Sequence, residues 1–179
     1  MPKQRHKQRI TLFRTEENFL TLNDNLCDTV PNNDGKKGHL RMNMKKEWSD
    51  SYKLDIPIID DAHEKLFDGF NQFIEKAEQR ASTAELTISF RELLQDVATH
   101  FAEEEEIMLD MGYSSFKTHK EIHDNLIHDA NEVAHDLELT NDEIDILPFI
   151  ECLHTIVIDH IIECDLMIGR FYHKKEKEE

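Results

Sequence analysis

The sequence predicts an all-α protein, an antiparallel up-down-up-down four-helix bundle with a weakly ordered N-terminal extension. Three observations predict it. Charged residues make up 33% of the 179 positions, while Gly and Pro number only five and four. Such a composition suits helices and opposes a many-turned β fold. Four apolar stripes follow one another from Trp48 onward, each with a spacing of about 3.5 residues. The stretches between the stripes are short, so neighbouring helices run antiparallel. The chain divides into an extension at 1–46, the bundle at 47–173 and a charged tail at 174–179.

The extension is polar and mixed in charge, and Pro31-Asn32-Asn33-Asp34-Gly35 interrupts it with turn-forming residues. Met42 and Met44 stand just before the compact part as alternative natural starts. The first helix opens at Asp55-Ile56-Pro57, with Asp55 as the expected N-cap and Pro57 in the first turn. Its stripe is Ile59, His63, Leu66, Phe70, Phe73 and Ala77. The second opens on Ser82-Thr83-Ala84-Glu85, a capping box. Its stripe is Leu86, Phe90, Leu93, Val97, His100, Glu104, Met108 and Met111, and Gly112 follows as the C-terminal cap. Ser114 or Ser115 caps the third, whose stripe is Phe116, His119, His123, Leu126, Ala130, Val133 and Leu137. The fourth begins near Pro148 and carries Ile150, Leu153, Val157, His160, Cys164, Met167 and Phe171.

Titratable residues interrupt these stripes. His63, His100, Glu104, His119, His123 and His160 occupy positions that the period assigns to the core. Burying so many unpartnered polar groups would exceed a domain's net stability of roughly 5–15 kcal/mol. A shared metal is the simplest common partner. His100 with Glu104, and His119 with His123, are i, i+4 pairs that project from one helical face. The set exceeds the four ligands of a structural zinc. It suits two metals bridged by carboxylates, and imidazole with carboxylate suits iron. On the fourth helix, spacing leaves two candidates open. Cys164 follows His160 by four residues, while Asp165 follows by five, about 140° around an ideal helix. A π-bulge would swing Asp165 inward.

Charge and cysteine content narrow the function classes. Residues 1–46 hold ten Lys and Arg against five Asp and Glu, whereas 47–179 hold eleven against thirty-three. An excess this negative disfavours nucleic acid and anionic membrane surfaces as partners. No stretch approaches the roughly 20 apolar residues of a membrane span. Cys27, Cys152 and Cys164 form no CxxC pair, and a sparse, odd set fits a reducing cytoplasm. No protein partner is specified.

The motifs resemble those of the hemerythrins, and in particular the bacterial single-domain ones, over about residues 48–172. They are Trp48, Tyr52 and Asp60-Asp61-Ala62-His63; His100-Phe101-Ala102-Glu103-Glu104-Glu105 with Met108; His119-Lys120-Glu121-Ile122-His123; and His160-Ile161-Ile162-Glu163-Cys164-Asp165. The resemblance selects Asp165 and fills the family's ligand order with His63, His100, Glu104, His119, His123, His160 and Asp165. It implies two iron ions, one held by His119, His123 and His160 and the other by His63 and His100 with a position left open. Glu104 and Asp165 would bridge, together with an oxo or hydroxo group. O2 is the implied ligand, and Val157, Ile161 and Ile162 are candidates for the wall of its pocket.

Five neutral histidines and two carboxylates stabilise high-valent iron less than a carboxylate-rich set does, which favours holding O2 over cleaving it. The expected role is therefore reversible O2 binding for carriage, storage or buffering, without enzymatic turnover. The alternative is a di-iron redox enzyme or sensor handling peroxide or nitric oxide. No output domain follows Glu179, which points away from a built-in sensor. Three positions depart from the family pattern. Asp55 stands where Gly is usual, Ala62 where Gln or Glu is usual, and Ile156 where Trp is frequent. Glu103, Glu105 and Glu106 read as a solvated face, and His128, His135, His154 and His173 as surface residues.

Overall fold

The computed structural model describes residues 28–29, 40–41, 44–139 and 145–178. The expectation for the extension falls largely outside these residues, as do His6, His39 and Cys27. Within it, β1 (Asp28–Thr29) pairs antiparallel with β2 (Leu40–Arg41). The rest is helical: α1 (Pro57–Glu78), α2 (Thr83–Asp110), α3 (Phe116–Leu139), α4 (Leu147–Leu153) and α5 (Leu166–Glu176). Two π-helical stretches, His154–Asp159 and Ile161–Asp165, join α4 to α5. The helical path is unbroken over 147–176, so these parts form the fourth rod of the four-helix bundle.

The approach to α1 already belongs to the packed structure. Met44 is buried in the main core. The Lys46 amide donates to Asn71 Oδ1 at 2.8 Å, and Asn71 Nδ2 donates back to Lys46 O at 2.7 Å. The rings of Trp48 and Tyr52 then pack on Phe67.

The expected cap at Asp55 is not formed. Ile56 occupies the N-cap position without a side-chain bond. Asp55 instead has φ of 59°, in the left-handed region. That conformation is why glycine suits the position, and aspartate is among the few residues that tolerate it. Asp60 Oδ1 reaches back to accept from the Leu54 amide at 2.7 Å.

The signals at both ends of the second helix hold. Ser82 and Glu85 form the reciprocal capping box. After α2, Gly112 has φ of 68°, its amide bonds Leu109 O and the Tyr113 amide bonds Met108 O. This is a Schellman ending, and it turns the chain tightly into α3. α3 starts directly after Ser115, whose carbonyl accepts from His119 N.

On the first two helices every expected stripe residue is buried. On α3 the flanks differ: Phe116 and Leu126 are only half-buried. The fourth rod departs most. Cys164 is half-buried and Met167 is 47% exposed, while Asp165 and Ile168 are fully buried. A π turn closes its hydrogen bonds from i to i+5, so the inward face moves on by one residue. The continued α-helical period therefore points at the wrong side chains beyond His160. At Gly169 a Cβ would lie 3.0 Å from Leu54 Cα, so this close approach of α5 to the chain entering α1 favours glycine, and a larger residue would push the Leu54 backbone back by a few tenths of an ångström. The His173 ring, read as exposed, is also packed here, with Nε2 2.9 Å from Leu54 O.

The apolar interior has two parts. The larger cluster runs from Met44 and Leu66 through Phe90, Val97, Phe101 and Ala130 to Ile161. The smaller one gathers Leu54, Ile56, Ile59, Met108, Met111 and Ile168. Along each helix the titratable residues fall between these clusters, which places one polar layer between two apolar ones.

Candidate metal centre

All seven sequence-predicted ligand residues lie in that layer, and all are buried. His63, Glu104 and Asp165 have no exposed surface, and His119, the most exposed, has 5%. Each helix supplies its share by simple geometry: His63 from α1, His100 and Glu104 from consecutive turns of α2, and His119 and His123 likewise from α3. The fourth rod supplies His160 and Asp165 across the second π stretch. With the wider turn, residues five apart converge, and His160 Nε2 lies 3.0 Å from Asp165 Oδ1. The sequence alternative Cys164 is half-buried and stands beside His160, but it belongs to neither group of converging donors.

The first π stretch repeats this spacing. His154 Nδ1 and Asp159 Oδ1 are 3.2 Å apart, also five residues on, and the His154 ring packs edge-on to Phe70. His154 is thus half-buried rather than a free surface side chain. His128 and His135 are exposed as expected.

The donor atoms converge in two overlapping groups. One comprises Glu104, His119, His123, His160 and Asp165; the other comprises His63, His100, Glu104 and Asp165. Only the two carboxylates belong to both. Asp165 faces both ways: Oδ2 lies 3.3 Å from His63 Nε2, and Oδ1 lies 3.2 Å from His119 Nε2. Glu104 Oε2 lies 3.3 and 3.2 Å from the Nε2 atoms of His119 and His123. The imidazole nitrogens also face one another, His63 Nε2 to His100 Nε2 at 3.2 Å and His123 Nε2 to His160 Nε2 at 3.0 Å.

Direct hydrogen bonding does not account for this arrangement. Both oxygens of Glu104, both of Asp165 and Nε2 of His119 are buried without a hydrogen-bond partner. Unsatisfied buried polar atoms cost about 1–3 kcal/mol each. Donors about 3 Å apart are what neighbouring ligands on one metal ion present, given metal–ligand bonds of about 2.0–2.2 Å. The cluster therefore fits metal ions, and its two overlapping groups fit two of them.

Comparison with known proteins agrees. The family model described as the hemerythrin HHE cation binding domain matches residues 54–163. The chain belongs to the hemerythrin family. Hemerythrin relatives include a bacteriohemerythrin of Clostridium acetobutylicum, 30% identical over 122 residues that cover 66% of this chain and 94% of that one. A bacteriohemerythrin of Pseudomonas paraeruginosa is 32% identical over 85 residues, which are 48% of this chain; here the match spans about half of the relative's length, 55%. A crystal structure of wild-type hemerythrin superposes with a TM-score of 0.62 at 23% identity, covering 70% of this chain and 95% of that one. That likeness shows the shared fold.

Among the hemerythrin motif residues, Phe101 and Glu105 take on roles that periodicity did not reveal. Phe101 is 4% exposed and stacks on His123, with ring centroids 3.7 Å apart and planes 4° apart. It also meets the rings of His160 and His100. Glu105 is not part of a solvated face. Its Oε1 accepts from His123 Nδ1 at 3.1 Å, and Lys120 Nζ holds its Oε2 at 3.0 Å.

The charges in the layer shape how it takes up metal. Burial holds His100 down to about 4, against the opposing pull of Glu104. Burial also works against charging His119 and His160, but there Asp165 outweighs it, aided at His119 by Glu104; they stand at about 9 and about 10. Asp165 is likewise pulled well below the carboxylate range, since His160, His119 and His63 outweigh its burial. In metal-free protein at pH 7, His119 and His160 are thus cations and His100 is neutral. Metal binding requires neutral imidazole. Loading the chelator-stripped protein at pH 7 is expected to release about two protons, with affinity rising toward pH 9. Calorimetric titration in buffers of different ionisation enthalpy measures this; a heat independent of buffer would contradict it. For the metal-free fold the signs are separate. The contribution of His119 and His160 is complete below pH 6.5 and disappears as pH rises through about 9 to 10. That of His100 is present above pH 6.5 and is lost as pH falls toward about 4.

Proposed function

We propose that this hemerythrin-family protein binds O2 reversibly at a carboxylate-bridged di-iron centre, for carriage, storage or buffering. The observation that carries the proposal is the donor set: five histidines against two carboxylates, all buried between two apolar clusters. In this reading His119, His123 and His160 hold one iron and His63 and His100 the other. Glu104 and Asp165, common to both groups, lie between them. When bound there, two ferrous ions would supply the two electrons that reversible O2 binding requires.

The chain's own residues set the conditions. The neutral imidazoles add no negative charge, so the site stabilises a high oxidation state less than a carboxylate-rich one. Val157 and Ile161 are fully buried and Ile162 is half-buried against the main core. We assign them to the pocket wall, where they would keep water away from bound O2 and slow its irreversible loss. Ile156, 2% exposed, extends the same apolar surface. Among the described residues no helix is long and apolar enough to cross a membrane. The free thiols of Cys152 and Cys164 suit the reducing cytoplasm in which we place the protein.

The test is cyclic. Iron-loaded protein is reduced without air, exposed to O2 and purged with argon while its visible absorption is recorded. A band that appears with O2 and disappears on purging, over repeated cycles, is the expected result. One-way oxidation, or continuous consumption of O2, peroxide or nitric oxide, would instead favour a redox enzyme.

A further inference from the structure

We infer that Glu105 is a positioning residue that acts through His123 to make the three-histidine half of the site the tighter one, so that the two metals load in a fixed order. The inference rests on reading the cluster as a two-metal site.

The observation behind it is an asymmetry between the two halves. His123 is 1% exposed, and its two ring nitrogens face different partners. Nε2 points into the cluster, 3.2 Å from Glu104 Oε2. Nδ1 points outward to Glu105 Oε1 at 3.1 Å. A carboxylate at this distance accepts the Nδ1 proton. That fixes the tautomer and leaves the Nε2 lone pair directed at the metal position. It also increases electron density on the imidazole and makes Nε2 a stronger donor.

Glu105 is itself held. Lys120 Nζ lies 3.0 Å from its second oxygen and 3.1 Å from Asp124 Oδ1. Phe101, stacked at 3.7 Å, blocks rotation of the His123 ring out of this plane. The ring is therefore constrained by a hydrogen bond at its edge and a packed face.

Among the described residues, no carboxylate meets an outer ring nitrogen in the other half. His63 Nδ1 is buried without a hydrogen-bond partner. Among the described residues, His123 is the one candidate ligand whose outer nitrogen meets a carboxylate. The three-histidine half also has one more imidazole. Both differences act in the same direction, and the first depends on Glu105.

The test uses the full chain, stripped with chelator and titrated with Co2+, followed by its visible ligand-field bands and by competition with a chromophoric chelator. Wild-type protein is expected to bind two ions in separate phases. Glu105→Gln keeps an acceptor but removes the charge; it should weaken the first phase by about 10-fold and leave the second unchanged. Glu105→Leu removes the acceptor as well, and should weaken the first phase by about 100-fold. Glu103→Gln, at an exposed position of the same helix, should change neither phase. An unaltered first phase in Glu105→Gln would overturn the inference. So would equal weakening of both phases, which marks a general structural effect, or wild-type loading in a single phase. Wild-type protein that binds no Co2+ would instead overturn the two-metal reading on which the inference rests.

Discussion

An Asp165→Ala chain is expected to lose both metals while keeping its helices. Asp165 is the side chain on which the two halves of the site depend most, because its two oxygens face opposite ways, one to His63 and the other to His119 and His160. Removing a histidine such as His63 would deprive one half of a donor. Removing Asp165 deprives both, and it also removes the negative charge that offsets two metal cations. Affinity at each half should fall by more than the roughly 10–100-fold typical of losing a supporting residue. The fold need not fail with it. Without the carboxylate, His119 and His160 lose the partner that keeps them charged, and they can release their protons rather than remain as buried cations. Metal analysis after desalting, beside far-ultraviolet circular dichroism, checks both halves of the prediction. Two metals retained per chain would show that Asp165 is not shared.

Truncation of Phe101 to alanine should be costly in two distinct ways. The ring is 4% exposed and touches three of the histidine rings. Replacing a buried Phe by Ala costs about 3–5 kcal/mol, a large part of a typical domain's stability of roughly 5–15 kcal/mol. Phe90→Ala is a matched control, since Phe90 is fully buried and packs on Phe73 and Phe149 instead. Both variants should lower the urea midpoint of the metal-free protein by similar amounts. Only Phe101→Ala should also weaken metal binding, because only there do the histidine rings lose the face that holds them in plane. Equal metal affinity in the two variants would remove Phe101 from the site's support.

How much of this was legible in the sequence follows from where the determining forces lie. α1 and α2 were readable because their burial follows one unbroken helical period, which a run such as Leu86, Phe90, Leu93 and Val97 displays directly. The caps at Ser82 and Gly112 were readable because their chemistry is local. Six of the seven clustered residues were readable because a titratable group on an apolar stripe needs a partner. Beyond His160 this logic failed. The π turns depend on how the fourth rod closes on the other three helices, and no local propensity marks them. A spacing argument could therefore not decide between Cys164 and Asp165, and it placed Met167 inward where Ile168 belongs. Glu105 was missed for a related reason. It lies beside Glu104 on α2, and its partners His123 and Lys120 are on α3. A glutamate among glutamates gives no sign of which one crosses to the next helix. At Asp55 the sequence suggested a cap, whereas the backbone uses the residue for its tolerance of positive φ.

The claim on which the rest depends is that seven buried side chains hold two metal ions in each chain. Native mass spectrometry of the iron-loaded protein counts them directly. A single dominant species carrying two irons per chain is expected, reduced to at most one when His119 is replaced by alanine. A wild-type chain that carries one iron, or none, under conditions that saturate binding would contradict it.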